Sequence, residues 1–257
     1  MTFQKITPEK LSQAVTRQIE DLILRGILRP GERLPSEREL AERMGVSRPS
    51  LRDAIADLQT RGLLTSRAGS GIYVADVLGS AFSPALVQLI GSHDAAVFDY
   101  IAFRRDMEGL AIERAARLGS DTDLAVVNTI FTRMEDGTRR GPEDDARLDA
   151  EFHMSIVEAS HNIIMLHMMR SMFDLLREGV LYNRQTMFRQ RTTRDDLLAQ
   201  HRKINTSLQR RDAEQARAAI EKHLDYVERS LLEQRRAEDN ERTAKARLDH
   251  ERDSRSL

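Results

Sequence analysis

The stretch LPSERELAERMGVSRPSLRDAIADL, Leu34–Leu58, holds two short amphipathic segments separated by Gly45 and Val46. Ser36 opens the first, with Glu39 three residues on, the spacing of a capping box. Gly45 stands where a left-handed helix C-cap favours glycine. The second segment opens near Ser47, with Pro49 in its first turn, where a missing N–H costs little. Leu51, Ile55 and Leu58 form its apolar stripe at helical spacing. Its first turns also carry Ser47, Arg48, Ser50 and Arg52. A helix N-terminus is the positive end of the dipole and favours acidic residues. Arginines there imply an anion supplied from outside the chain.

Upstream, Leu11, Val15, Ile19, Leu22 and Ile23 recur at helical spacing and predict a helix that stops near Gly26, before a bend at Pro30-Gly31. Downstream of Gly62 the period changes. Leu63 to Arg67 and Ile72 to Ala75 lean towards strand around Gly69-Ser70-Gly71, a hairpin pattern. Three helices and a hairpin describe a winged helix-turn-helix over residues 9–77. The segment VLGSAFSPAL reads as a linker, and residues 78–95 carry it into the start of a second domain.

Residues 96–235 read as an all-helical antiparallel bundle, so the fold class is mainly α. Breaks at Gly119-Ser120-Asp121, Gly137 to Pro142, His161-Asn162, around Arg189 to Arg194 and at Arg211-Asp212 divide residues 82–235 into six or seven helices. Residues 236–257 form a charged tail, expected to extend the last helix and then fray.

Composition narrows the function. The chain of 257 residues is 40% hydrophobic and 32% charged, with a formal net charge of -1. That suffices for packed cores, and no apolar run approaches a membrane span. The first residues, MTFQKITPEKL, lack the apolar stretch of a secretory signal. With no cysteine there is no thiolate metal site, and a cytoplasmic location is expected. Near-neutral charge argues against indiscriminate coating of nucleic acid but leaves room for a local basic surface.

The segment GILRPGERLPSERELAERMGVSRPSLRDAIADLQTRGLLTSRAGSGIYV resembles the DNA-binding domain of GntR-type bacterial transcriptional regulators along its whole length. The remainder resembles the helical effector (FCD) domain of the fatty-acid-regulator branch, through RRDMEGLAIERAA, DAEFHMSIVEASHN and HRKINTSLQRRDAEQARAAIEKHL. Within that branch, KLSQAVTRQIEDLILRGILRPGERLPSERELA, VSRPSLRDAI and EASHNIIMLHMMRSM are most similar to repressors of the pyruvate dehydrogenase complex, and lactate and glycolate regulators share much of the pattern.

By this resemblance Arg48 and Arg52 are the candidate base readers, with Arg38 close by. Arginine at the start of a recognition helix pairs bidentately with guanine O6 and N7. Ser36, Ser47 and Ser50 would position the phosphate backbone, and Ser70 and Gly71 would bring the wing to the minor groove. Arg67, Lys5 and Lys10 are further phosphate candidates. An equally open reading has Ser47 only capping its helix and Arg38 and Arg52 pairing with Glu37 or Asp53. One small domain reads few base pairs, so a homodimer on an inverted repeat of double-stranded operator DNA is expected.

Asp149 and His153 lie four apart and share a helix face. His201 lies ten residues before Arg211 and His223 eleven after Asp212, so an antiparallel hairpin broken there sets them side by side. Three imidazoles and a carboxylate can ligate Zn, Ni, Mn or Fe and leave positions open for an oxygen ligand. The resemblance implies that these four hold a divalent metal ion. It also implies that Arg104 clamps a small carboxylate effector, although Arg104 could instead pair with Glu108.

The function expected is a ligand-responsive repressor of pyruvate dehydrogenase complex or related central-carbon genes, released by a carboxylate such as pyruvate. A lactate- or glycolate-responsive regulator is the alternative. A metalloenzyme carrying a DNA-binding module ranks below both, since no zinc-peptidase spacing or nucleophile–base pair stands out.

Overall fold

Leu51 and Leu58 are fully buried beneath the second helix of the quoted stretch, and the N-terminal unit assembles around them. A computed structural model of the chain describes residues 10–76, 83–136, 141–175 and 191–254. It divides the chain into two compact units, Met1–Gly79 and Ser80–Leu257.

The first unit runs α1 (Leu11–Leu24), α2 (Glu37–Met44), α3 (Arg48–Thr60), β1 (Leu64–Arg67) and β2 (Gly71–Val74). Ser36 caps α2 by accepting from Glu39 N at 3.3 Å. Glu39 Oε1 turns to Arg43 at 2.6 Å, so only the serine half of the anticipated capping box forms. Gly45 closes α2 in the left-handed region at φ 63°. Val15 and Ile19 of α1, Ala41 of α2, Leu51, Ile55 and Leu58 of α3, and the paired Leu64 and Val74 make one core.

The hairpin lies within a residue of its expected limits. A third segment joins it: Gly31 N donates to Val74 O, Leu34 N to Ile72 O and Val74 N to Glu32 O, each at 2.9 Å. Arg33 thereby pairs with Tyr73, a long-range contact without a local sequence signature.

The second unit contains α4 (Pro84–Ser92), α5 (Asp94–Leu118), α6 (Asp121–Glu135), α7 (Pro142–Ala159), α8 (Ile163–Leu175), α9 (Arg191–Gln209) and α10 (Ala213–Ser254). The end of the expected linker is thus helix, because Ser83 accepts from Leu86 N and Pro84 fits the first turn. The start of that linker, most of the Gly137 to Pro142 break, and Lys5 lie outside the described residues. So does the chain just before Arg191, where another break was expected.

Helix α5 packs on α4, α7, α9 and α10, while α6 packs on α7 and α9. Ile112, Phe152, Ile156, Ile204, Leu208 and Ile220 are fully buried between them.

One corner ties several helix ends together. Ser120 and Asp123 form a reciprocal capping box at the start of α6. Arg211, at φ 56°, donates to Gly119 O and Asp121 Oδ1, both at 2.7 Å. His161, at φ 52°, meets Asp123 Oδ2 at 2.8 Å. A Cβ on Gly119 would come within 2.6 Å of Ala115 O and 3.4 Å of Ala159 O, so only glycine lets the chain pass there.

The charged tail extends the last helix, as expected. Helix α10 continues to Ser254, with exposed one-turn pairs such as Arg242–Asp239 at 2.7 Å and Lys245–Glu241 at 3.4 Å along it. Among the described residues no helix is long and apolar enough to cross a membrane.

Leu51 has no exposed surface at the junction of helices and wing. Leu51→Ala is expected to destabilise the N-terminal unit by about 2–5 kcal/mol, read as a shifted urea midpoint.

Candidate metal centre and DNA-reading surface

Three helices converge on one buried point in the bundle. Asp149 and His153 come from α7, His201 from α9 and His223 from α10, and all four are at most 1% exposed. One ligand atom from each lies within 4.8 Å of all the others. His201 Nε2 is 3.2 Å from His153 Nε2 and 3.1 Å from Asp149 Oδ1, and His153 Nε2 is 3.8 Å from the same oxygen. A metal–nitrogen bond of about 2.1 Å separates neighbouring ligands by roughly 3.0 to 3.4 Å, depending on the polyhedron. The spacing therefore fits a single ion, and so does the donor set of three imidazoles and a carboxylate. The His201 and His223 ring centroids are 4.5 Å apart, as equal distances from the Arg211-Asp212 break require.

Two of the imidazoles are aimed from behind. Glu108 Oε2 lies 2.5 Å from His153 Nδ1, and Gln200 Oε1 lies 3.0 Å from His223 Nδ1. Each Nδ1–H then donates outward and leaves the Nε2 lone pair facing the cluster. Phe152 sets its edge against His153 and His201, with centroids 5.7 and 5.2 Å away, and supplies an apolar wall.

Arg104 takes the ion-pair alternative, with Nε donating to Glu108 Oε1 at 2.6 Å and both side chains 1% exposed. Burial pushes the Glu108 carboxyl up, but the Arg104 charge and then His153 outweigh it, and its pKa falls from 4.5 to about 2. Burial also opposes the charge on Arg104, yet Glu108, with Tyr100 and Asp149, raises its pKa.

Sequence reasoning placed Glu108 beside Arg104 but missed its second contact, because His153 is 45 residues away. It missed Gln200 altogether. That residue adjoins His201, and neighbours on a helix face directions about 100° apart; its side chain serves the next helix instead.

The residues proposed to read DNA lie at the surface of the first unit. Arg38 and Arg48 are exposed and make no ion pair among the described residues. Arg48 is the first residue of α3, and exposed Arg52 lies one turn further on. Arg52 Nε holds Glu37 Oε2 at 2.8 Å, the pairing left open by the sequence. This contact is exposed and weakened by salt, so a phosphate or base can displace it.

Ser47 caps α3 through Ser50 N at 3.3 Å, and the two hydroxyls meet at 2.9 Å. At the wing, Ser70 Oγ bonds the Tyr73 hydroxyl and Arg67 covers the Tyr73 ring at 4.3 Å. Gly71 sits at φ 112°, and a Cβ there would lie 3.1 Å from Arg33 Nε, so exposed Arg33 is a cation beside the wing that the sequence reading did not single out.

The profile described as "Bacterial regulatory proteins, gntR family" matches residues 11–74, and that of the FCD domain matches residues 99–226. The chain belongs to the GntR family. Apart from the phosphate candidates Lys5 and Lys10, the candidate DNA-reading residues lie within the first match, and Arg104, Glu108 and the four-residue cluster lie within the second.

This GntR-family chain is 33% identical, over 88% of its length and 88% of the relative's, to a protein of Escherichia coli (strain K12) assigned as the regulatory protein of the L-lactate dehydrogenase operon. It is 28% identical to the Glc operon transcriptional activator of the same organism, over 86% of this chain and 89% of the relative. The solved structure of Streptococcus agalactiae GntR superposes with a TM-score of 0.53 at 27% identity, covering 85% of this chain and 99% of that one. These relatives are transcriptional regulators and not enzymes, which removes the metalloenzyme alternative.

Replacing Glu108 with alanine breaks its buried pair with Arg104, so Glu108→Ala is expected to cost about 3–5 kcal/mol in denaturant melts at neutral pH. The folded pKa of Glu108 lies below its ordinary value. Its contribution is therefore complete above about 4.5 and is lost as pH falls towards about 2, a slope that a wild-type acid titration followed by circular dichroism should show.

Proposed function

We propose that this GntR-family regulator is a metal-dependent, carboxylate-responsive repressor that binds an inverted-repeat operator as a homodimer. The observation that carries the effector half is the buried quartet of Asp149, His153, His201 and His223, with Arg104 and Glu108 beside it. A divalent Zn, Ni, Mn or Fe ion, when bound, supplies Lewis-acid attraction for oxygen ligands. Arg104 keeps donors beyond the Nε used by Glu108 and orients a small carboxylate by charge and hydrogen bonding. A buried cluster of polar ligands walled by Phe152 suits pyruvate, lactate or glycolate better than a long acyl chain.

On the DNA side, Arg48 and Arg52 read base edges in the major groove with Arg38 beside them. Ser36, Ser47 and Ser50 hold phosphates, and Ser70 and Gly71 place the wing. Effector binding lowers operator affinity by as much as the effector prefers the DNA-released conformation.

Pyruvate is the first choice of effector, on the stretches shared with repressors of the pyruvate dehydrogenase complex. Lactate is the second reading, favoured by the relative assigned to an L-lactate dehydrogenase operon. Titrating the protein–operator complex with pyruvate, lactate and glycolate, followed by fluorescence anisotropy, separates them. Release by one acid without its consumption is the expected result, and indifference to all three would overturn the effector assignment.

Two variants divide the halves of the proposal. Arg48→Ala is expected to abolish preference for the operator over random duplex while leaving the circular dichroism spectrum unchanged. His201→Ala should lose bound metal and blunt the effector response while operator binding by the apo-protein persists. Full metal occupancy in that variant, measured by elemental analysis, would refute the ligand assignment.

A further inference from the structure

Helix α5 supplies none of the four candidate ligands, yet two of its fully buried side chains end at the cluster. Arg104 and Glu108 are one turn apart on the same face, and the Glu108 carboxylate is used at both oxygens. Oε1 accepts from Arg104 Nε at 2.6 Å, and Oε2 faces His153 Nδ1 at 2.5 Å. A carboxylate behind a ligating imidazole fixes the tautomer and the ring plane and makes the outward nitrogen a stronger donor.

His153 and His223 are supported differently. The group facing His223 Nδ1 is the neutral Gln200 amide oxygen, at 3.0 Å. Hydrogen bonds to an ionised acceptor are shorter and stronger than those to a neutral one.

From this asymmetry we infer that Glu108 is a positioning residue of the metal centre, holding His153 with Nε2 towards the ion and holding Arg104 with its other oxygen. The inference rests on the metal-binding reading of the quartet and adds to it a residue that is not a ligand. Through Glu108, the cation that receives the effector and the imidazole that receives the metal share one anchor. Any preference of the metal-loaded form for effector is matched by an equal preference of the effector-loaded form for metal.

The test is Zn2+ affinity of the full chain, measured by competition with a chromophoric chelator, together with the visible spectrum of the Co2+-loaded protein. Failure of the wild-type chain to compete for Zn2+ overturns the metal-binding reading, and this inference with it. Where the wild type binds, Glu108→Gln is expected to weaken Zn2+ roughly 10–100-fold and to shift the Co2+ bands. Gln200→Ala should weaken Zn2+ less. Wild-type affinity and spectrum in folded Glu108→Gln overturn the inference alone.

Glu108→Gln also removes the carboxylate charge that pairs with Arg104 Nε, so the double variant R104Q/E108Q supplies the control. It removes both buried charges together, and it carries the test if the single variant fails to fold. A positioning role keeps the double variant at least about tenfold weaker than wild type. Return to wild-type affinity in the double variant means that the single variant suffered only from the charge imbalance at Arg104, and the inference fails.

Discussion

The Glu108 carboxylate, buried between a guanidinium and an imidazole, is the contact on which the bundle interior depends. Ionised groups are tolerated away from water only when each is met by a partner of opposite sign or a good hydrogen bond. Arg104 and Glu108 satisfy one another from the same helix, and Glu108 then reaches across to α7. That cross-link brings His153 to His201 and Asp149, with Phe152 closing the apolar side. Hydrophobic packing by Ile112, Ile156, Ile204 and Ile220 supplies the cohesion of the bundle, and the polar chain selects which alignment of the helices is permitted.

The N-terminal unit applies the opposite rule to its charges. Arg38, Arg48 and Arg52 stay in water, and Glu37 gives Arg52 only a loose, exposed partner. Exposed cations cost the fold little and remain available for an anionic duplex, where release of condensed counterions favours binding. The capping hydroxyls of Ser36 and Ser47 sit at the same helix starts, whose amides also favour phosphate. One chain therefore keeps its cations wet where a polyanion must be met and dry where a small acid would be.

Local patterns made most of the architecture legible. Caps, glycines and apolar periodicity located α1 to α3 and the hairpin to within a residue or two, since these elements are decided by neighbours in sequence. Counting from the Arg211-Asp212 break set His201 beside His223, because a two-helix hairpin converts sequence distance directly into height. What escaped notice depends on tertiary contacts or on weak competition between states. The pairing of Arg33 with Tyr73 and the link from Glu108 to His153 join distant segments. The Ser83-Pro84 helix start was visible but lay inside a stretch that composition marked as linker. The tail, by contrast, was expected to extend the last helix, and one-turn charge pairs and good helix formers carry it to Ser254.

The corner from Gly119 to Asp123, where Arg211 and His161 are fastened, sets a common origin for measuring along the bundle. Glu108 stands eleven residues before Gly119, His153 eight before His161, His201 ten before Arg211 and His223 eleven after Asp212. At 1.5 Å per residue these are climbs of about 12 to 17 Å, which is why the groups arrive at one storey. Adding or deleting a single residue between the corner and any of them would swing that side chain by about 100°. The helical segments above the corner therefore tolerate exchange of residues but not a change in their number.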